Sequence, residues 1–179
     1  AAVGSAEVID KPTFGSYLLD GQKVNRLSSA KQAHLRARNI GFIFQNFQLL
    51  PTLTARENVM VPLELRGEKN IKERSLSLLE KVGLAERAHH YPTQLSGGEQ
   101  QSVAIARAFS NEPTILFADE PTGNLDSETS EKIVKLLFDL NREAGTTLVM
   151  VTHDLELAAK TQRIIRIKGG ALIADEATK

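Results

Sequence analysis

The hydrophobic pattern of the chain alternates between two periods. Three short runs are almost wholly apolar, which is typical of strands covered on both faces by other parts of a protein. These runs occupy residues 40–44, 114–118 and 146–152. A helix is predicted over 127–143, because the apolar residues Ile133, Leu137 and Leu140 share one face of it. Gly145 is placed to end this helix. Strands that alternate with helices predict an α/β fold with a mostly parallel sheet flanked by helices.

The segment 46–93 has a different character. Prolines interrupt it at 51, 62 and 92, and Ile71, Leu78, Leu79 and Val82 have the spacing of one helical face. We therefore predict a helical subdomain at 46–93, inserted in a single domain that spans 1–179. The remaining pattern predicts short helices and strands. They are helices over 31–38 and 154–160, a strand over 14–20 followed by a turn, and a small antiparallel β hairpin of 164–168 and 171–174 around Gly169 and Gly170.

Composition narrows the class of partner. The chain has 22 basic and 22 acidic residues, so no overall electrostatic field favours nucleic acid or anionic lipid, and we expect no nucleic-acid partner. It has no cysteine, which excludes disulfides and thiol chemistry. No apolar run approaches the length of a membrane-spanning helix, so a role at a membrane is expected to come through a partner.

Two adjacent carboxylates, Asp119 and Glu120, follow the apolar run 114–118. Open α/β sheets place their ligands at the carboxyl ends of their strands. One carboxylate there can hold Mg²⁺ through water, and the next can polarise an attacking water. The competing interpretation is a helix-capping acid beside a solvated one, but their adjacency at the end of an apolar strand favours the magnesium and water pair.

A second candidate feature is the segment Ser96–Glu99, with sequence SGGE. The S-x-x-E spacing predicts that Ser96 caps a helix. Two glycines at a helix start leave N–H groups open to an anion, and the helix dipole favours phosphate there. Two glycines alone usually mark a turn. The predicted cap and the carboxylates downstream make a phosphate site the stronger interpretation.

These motifs together resemble the nucleotide-binding domain of ABC ATPases. The resemblance rests on LSGGEQ at 95–100, ILFADE at 115–120, GNLD at 123–126 and a strand that ends in His153. It implies a P-loop NTPase-like fold in which each motif has a role. Residues 115–119 would be the Walker B strand with Asp119 at the metal, Glu120 the catalytic carboxylate, His153 the switch histidine, Gln45 the Q-loop contact to Mg²⁺ or water, and Ser96, Gly97, Gly98, Glu99, Gln100 and Asp126 the nucleotide contacts.

A narrower resemblance points to one bacterial branch. The segments FQNFQLLP at 44–51, LTA at 53–55, ENV at 57–59 and PL at 62–63 are similar to lipoprotein-releasing, macrolide-export and cell-division ABC ATPases. The resemblance implies ATP and Mg²⁺ as cofactors, a head-to-tail homodimer and an integral-membrane permease as partner. It also implies a cytoplasmic location, peripheral on the inner face of the cell membrane. An importer subunit and a non-transport ABC ATPase are less favoured alternatives.

The largest difference from the family pattern is in the N-terminal part of the sequence. The phosphate-loop pattern G-x-x-x-x-G-K-[ST] does not occur in the sequence. Residues 3–5 resemble the strand that enters this loop, and 9–13 resemble the segment well after it. Either the loop is deleted, or the sequence joins two segments across residues that it does not include, which we favour because the pattern resumes in register. A genuine deletion would make the chain an ATPase-inactive binding or regulatory module.

Other positions carry weaker expectations. Ser102 stands where the family most often has Arg. Either a long charged donor that fixed the neighbouring loops is lost, or the difference is a tolerated surface change, which we favour. Arg107 could form a core salt bridge or meet a partner. In the subdomain, Pro51, Leu53 and Val59 follow Gln45 closely, so they are predicted to form the surface that contacts the permease.

Overall fold

A parallel sheet forms the centre of the molecule. A computed structural model describes residues 15–178 apart from 20, 25 and 26. Three strands pair in the order β3–β4–β5. They are β3 (Ile40–Phe44), β4 (Ile115–Asp119) and β5 (Thr147–Val151). The register places Phe44 beside Asp119, and Asp119 beside Val151, so the three strands end at the same level. Residues that follow these strands are therefore brought to one edge of the sheet.

In the described residues, four helices accompany this sheet outside the helical subdomain. They are α1 (Ser29–Asn39), α4 (Gly97–Ser110), α5 (Ser127–Ala144) and α6 (Leu155–Ala159). The helix predicted at 127–143 is present as α5, and it ends at Gly145 with φ of 64°. The left-handed conformation there is one that glycine adopts without strain.

Close packing fixes α4 over the sheet. Ile43, Ile105, Leu116 and Leu137 belong to one buried cluster, which joins β3 and β4 to α4 and α5. A Cβ atom at Gly41 of β3 would lie 2.8 Å from the carbonyl oxygen of Ala108. Only glycine allows β3 and α4 to approach this closely, so the position of α4 relative to the strand is tightly set.

The helical subdomain packs on the other side of α4. It consists of α2 (Ala55–Leu65), α3 (Ile71–Lys81) and two short 3₁₀ helices, Ala85–Arg87 and Pro92–Gln94. Val59 is fully buried and packs in one cluster with Leu79, Leu84 and Val103 of α4. The expectation that Val59 lies on a docking surface is therefore wrong. Its place one turn after the helix start puts it on the face of α2 that covers α4.

Two small antiparallel sheets complete the described part of the chain. β1 (Leu18–Leu19) pairs with β2 (Gln22–Lys23), and β6 (Arg163–Lys168) pairs with β7 (Ala171–Ala177). The hairpin predicted around Gly169 and Gly170 is present, with an irregular register between Arg166 and Ile167. Gln22, predicted in a turn, lies in a strand, because the bend falls before it at Gly21, whose φ is 73°. In the described residues, no helix combines the length and apolar character needed to cross a bilayer.

Candidate active site

The carboxyl edge of the parallel sheet gathers Gln45, Glu120 and His153. Gln45 directly follows β3, and Glu120 directly follows β4. Glu120 has a φ of 45°, and its N–H donates to the carbonyl of Val151 at 2.9 Å. A left-handed conformation at a non-glycine residue is strained, so the surrounding contacts hold it in place. The strained turn brings the Glu120 side chain across to the residues that follow β5.

The Glu120 carboxylate is bonded on both oxygens. Oε1 accepts from the backbone N–H of His153 at 2.9 Å and lies 2.7 Å from Nδ1 of the same residue. Oε2 accepts from the Thr152 hydroxyl at 3.2 Å. The side chain of Glu120 is 22% exposed, whereas that of His153 is 86% exposed. The pair thus has a sheltered carboxylate and an imidazole that is open to a ligand.

This pairing changes the proton affinity of the imidazole. The hydrogen bond that His153 donates to Glu120, and then the negative charge of Glu120, raise the pKa of His153 above its ordinary value. With Nδ1–H donated to the carboxylate, the protonated ring keeps its Nε2–H for a second acceptor. An imidazolium so oriented is suited to an anionic group such as phosphate.

Asp119 and Gln45 flank this pair at the sheet edge. Asp119 is the last residue of β4 and is partly exposed. The Gln45 side-chain N–H donates to Asn124 Oδ1 at 3.1 Å, and Asn124 Nδ2 donates to the Gln45 carbonyl at 3.0 Å. A Cβ atom at Gly123 would lie 2.5 Å from Gln45 Nε2, so the close approach requires glycine. The amide of Gln45 is therefore engaged with the 123–126 loop, and its contact with a metal stays a prediction.

A magnesium site here would rest on few protein ligands. Among the described residues, no three His, Cys, Asp or Glu side chains are grouped so that they could hold a metal ion. Mg²⁺ in nucleotide sites is commonly bound by one or two protein groups together with phosphate oxygens and waters. Asp119 with Gln45 fits that requirement, whereas it would not fit a metal held by protein ligands alone.

The start of α4 has the cap that the sequence predicts. Ser96 Oγ accepts from the Glu99 N–H at 3.2 Å, and Glu99 Oε2 accepts from the Ser96 N–H at 2.8 Å. The Ser96 N–H is also the main reason why the pKa of Glu99 is lowered. Gln100 donates back to the Leu95 carbonyl at 3.1 Å. The polar side chains of this loop thus bond the loop itself, and the N–H groups of Gly97 and Gly98 have no acceptor among the described residues.

The two glycines also bring α4 and α5 together. A Cβ atom at Gly98 would lie 2.5 Å from a methyl of Thr129, and one at Gly97 would lie 3.2 Å from Leu125. Asp126 caps α5 through Thr129, whose N–H and hydroxyl donate to its carboxylate at 3.0 and 2.7 Å. The Thr129 N–H is the largest cause of the lowered pKa of Asp126. Asp126 therefore acts as a helix cap here, and its predicted contact with nucleotide stays a prediction.

Sequence reasoning missed one buried polar residue and did not resolve two others, all on α4. Gln101 is fully buried and donates to the carbonyls of Phe44 and Pro121. Nothing in its spacing distinguishes it from Gln100, the half-buried glutamine before it. Ser102 is buried and donates to the Gly98 carbonyl at 2.9 Å, so the expectation of a surface change is wrong. The reason is that α4 is covered on nearly all sides.

Arg107 is the third of these residues. Its guanidinium donates to the Phe47 carbonyl at 3.0 Å and to the Gln48 carbonyl at 2.7 Å. Both loop residues have positive φ, 61° and 47°. Burial lowers the pKa of Arg107. No carboxylate in the described part of the chain is paired with it. Arg107 thus holds a strained loop directly after Gln45, and does not form the salt bridge that we considered.

Comparison with known proteins agrees with this geometry. A model of the ABC transporter family matches residues 8–123. The chain is 54% identical over 166 residues to the uncharacterised ABC transporter ATP-binding protein YbbA of Escherichia coli K12, covering 92% of this chain and 73% of that protein. It is 51% identical over 168 residues to the macrolide export ATP-binding/permease protein MacB of Syntrophobacter fumaroxidans, covering 92% of this chain and 24% of that protein.

A solved structure matches nearly the whole chain. The dimeric structure of a post-hydrolysis state of the ATP-binding cassette MJ0796, bound to ADP and Pi, has a TM-score of 0.88 and 44% sequence identity. The match covers 99% of this chain and 79% of that one. It confirms the predicted α/β fold with its mainly parallel sheet, and the relatives agree with the macrolide-export branch. The chain therefore belongs to the ABC transporter family and has the fold of its ATP-binding cassette.

Proposed function

We propose that this chain hydrolyses ATP as the energy-supplying subunit of a bacterial ABC transporter. The observation that carries the proposal is the pairing of Glu120 with His153 at the carboxyl edge of the sheet, directly beside Asp119. Two carboxylates and an imidazole at one edge can hold a metal ion, polarise an attacking water and contact a phosphate, which are tasks that phosphoryl transfer to water involves.

The side chains at the sheet edge have separate roles in ATP hydrolysis. Mg-ATP supplies the phosphoanhydride bond that is broken and the metal charge that offsets the negative charge of the phosphates. Asp119 and Gln45 hold the metal side of the site, and Glu120 orients and polarises the attacking water. The Nε2–H of His153 binds the terminal phosphate, because Nδ1 is committed to Glu120. Catalysis here is electrostatic positioning, with no covalent step on the protein.

A second copy of the chain completes the site. The N–H groups of Gly97 and Gly98 have no acceptor among the described residues, and a capped helix start is suited to a phosphate that arrives from outside. We place Ser96–Gln100 of one subunit against the nucleotide of the other in a head-to-tail homodimer. The related cassette MJ0796 is described as dimeric, which supports this arrangement.

A membrane permease is the partner that this dimer would drive. The relative MacB is named as a joined ATP-binding and permease protein. We place the subunit on the inner face of the cell membrane, held there by the permease. In the subdomain, Leu50 is 46% exposed and Tyr91 is 45% exposed, and Leu50 lies five residues after Gln45. We assign the contact surface to Leu50 with its neighbours Pro51 and Leu53.

The contact surface is tested by placing one negative charge on it. Leu50→Glu in the full-length protein should abolish co-purification with the permease while the thermal melt stays unchanged. Leu172→Glu on β7 is the matched control, since Leu172 is also exposed, at 64%, but lies in the terminal hairpin. Equal co-purification of the two variants would remove Leu50 from the contact surface.

Hydrolysis is tested with Glu120→Gln in the full-length protein. The variant should bind ATP normally but lose at least about 10²-fold in turnover, because the group that positions the water is gone. It should also accumulate an ATP-bound dimer, detected by size-exclusion chromatography. Glu131→Gln on the exposed face of α5 serves as the control for loss of one negative charge. Unchanged turnover in Glu120→Gln would exclude the assigned role.

One observation favours an alternative function, namely the lack of a G-x-x-x-x-G-K-[ST] pattern in the sequence. The resembling segments 3–5 and 9–13 lie outside the described residues. A protein without a phosphate loop would be an ATPase-inactive binding or regulatory module, since the loop supplies most contacts to the phosphates. Isothermal titration of the 179-residue polypeptide with Mg-ATP should then give weak binding and no turnover. Micromolar affinity with hydrolysis would exclude the inactive module.

A further inference from the structure

We propose that Gln101 is a positioning residue that links α4 to both Gln45 and Glu120, an inference that rests on the proposed hydrolysis. The Gln101 amide is fully buried, and its N–H groups donate to two carbonyls. One is that of Phe44 at 3.2 Å, immediately before Gln45. The other is that of Pro121, immediately after Glu120. A single side chain thus bonds the backbone beside each of the two residues.

The amide has an unfavourable feature that an apolar residue would avoid. Gln101 Oε1 is buried and has no hydrogen-bond partner among the described residues. A buried acceptor without a partner is destabilising, and a methionine of similar length would not have one. What methionine could not do is donate to Phe44 and Pro121. The amide is therefore suited to holding these two carbonyls, and less suited to packing alone.

The turn at Glu120 depends on such support. Its φ of 45° is strained, and three hydrogen bonds flank it: the Glu120 N–H donates to Val151 at 2.9 Å, the Gly123 N–H donates to the Glu120 carbonyl at 3.0 Å, and Gln101 donates to Pro121. Without the Gln101 bond, the Pro121 carbonyl loses its side-chain donor and the bond from Gly123 is left to hold the chain after Glu120, so the carboxylate shifts relative to His153. A misplacement of about 1 Å at reacting groups can reduce turnover by about 10²-fold.

Through the bond from Gln101 to Pro121, the position of α4 affects the position of the Glu120 carboxylate. Gln101 lies on the second turn of α4, whose start is the glycine segment that we assign to the phosphate of the partner copy. A shift of α4 when that phosphate binds would be transmitted through Gln101 to the backbone of Phe44 and Pro121 together. The placement of the attacking water would then depend on whether the second subunit is engaged.

The test compares Gln101→Met with Thr146→Val in the full-length protein. Thr146 is buried, and its hydroxyl also donates to a carbonyl, that of Pro113 at 3.0 Å, at the opposite end of the sheet. Gln101→Met loses two hydrogen bonds to backbone carbonyls, and Thr146→Val loses one. Gln101→Met should reduce kcat by about 10- to 100-fold with the ATP dissociation constant within about twofold of wild type. Thr146→Val should keep kcat within about twofold when activity is corrected for the folded fraction.

Amide hydrogen exchange provides a readout that needs no activity. The Glu120 N–H is bonded to Val151 at 2.9 Å, and the Thr147 N–H to Thr114 at 3.0 Å. Gln101→Met should speed exchange at Glu120 relative to Thr147 by about 10-fold or more, whereas global destabilisation would speed both equally. An unchanged ratio, or a loss of kcat in Thr146→Val as large as in Gln101→Met, overturns the proposal. A wild-type protein without ATPase activity would contradict the proposed function, while the exchange ratio would still test the link.

Discussion

The helices α4 and α5 both begin beside the candidate site, but they are buried in different ways. α5 has 18 residues and buries one stripe, formed by Ile133, Val134, Leu137 and Leu140. α4 has 14 residues and is buried over most of its length, between the sheet and the helical subdomain. A helix covered on all sides has no solvent face on which to place polar side chains. Polar residues on α4 therefore need partners inside the protein.

The partners of these polar residues show what each helix holds in place. On α5, the charged residues pair with each other at the surface, as Lys132 does with Glu128. On α4, Gln101, Ser102 and Arg107 all donate to backbone carbonyls, and two of the three reach loops at the sheet edge. The helix α5 therefore supports the site by packing, whereas α4 is also bonded to the residues that form it.

The largest effect is expected from the packed stripe of α5. Leu137→Ala should lower the free energy of unfolding by about 2–5 kcal/mol, because Leu137 is fully buried and its removal leaves a cavity. Turnover per folded molecule should not change. Urea denaturation gives the first quantity, and Lys135→Ala on the exposed face of the same helix is the control. A loss of kcat per folded molecule in Leu137→Ala would show that α5 does more than pack.

A smaller loss is expected when a bonded residue of α4 is changed. Arg107→Met should lower the free energy of unfolding by about 1–3 kcal/mol, because the carbonyls of Phe47 and Gln48 lose a charged donor. Hydrogen exchange should rise in the loop after Gln45 more than in α5. The control is Arg142→Met, whose guanidinium is 79% exposed and only loosely paired, at 3.7 Å, with Asp139. Equal losses in the two variants would refute a specific role for Arg107.

The same contrast explains how much the sequence could predict. The stripe on α5 has a clear helical period, and Gly145 marks its end, so that helix was predicted to within one residue. The strands β3 and β4 were predicted because both of their faces are covered, which leaves uninterrupted apolar runs. The strand β5 has a similar run, but it is only partly covered, and Val149 is 39% exposed. The caps at Ser96 and Glu99 are local, so their spacing alone predicts the hydrogen bonds between them.

Contacts between distant residues could not be predicted in this way. Gln101 and Phe44 are 57 positions apart, and Gln45 and Asn124 are 79 apart, so no local period relates them. Val59 was misplaced for the same reason, since only tertiary packing decides which side of α2 faces α4. The motifs predicted which residues come to the sheet edge. They did not predict that the Gln45 amide is engaged with Asn124.

The smallest effect is expected at the two helix starts, where a carboxylate accepts a hydrogen bond from a backbone N–H group. Backbone N–H donors lower the pKa of Asp126 at the start of α5 and of Glu99 at the start of α4, from ordinary values of 3.8 and 4.5. A lowered pKa means that the folded state binds the proton less tightly than the unfolded state. The stabilisation is therefore present above the ordinary pKa and is lost as the pH falls through the lowered one.

Asp126→Asn separates the charge of this cap from its hydrogen bonds. Asparagine also caps helices well, so the melting temperature at pH 7 should stay close to that of wild type. Between about pH 5 and pH 2 the wild-type melting temperature should fall more steeply than that of the variant, because only the carboxylate loses its charge there. Glu99→Gln changes the start of α4 in the same way, because its amide oxygen can still accept from Ser96. Its melting temperature should also fall less steeply at low pH than that of wild type. If the melting temperature falls equally steeply at low pH in wild type and Asp126→Asn, the charge of Asp126 does not stabilise α5. The hydrogen bonds to Thr129 alone would then form the cap.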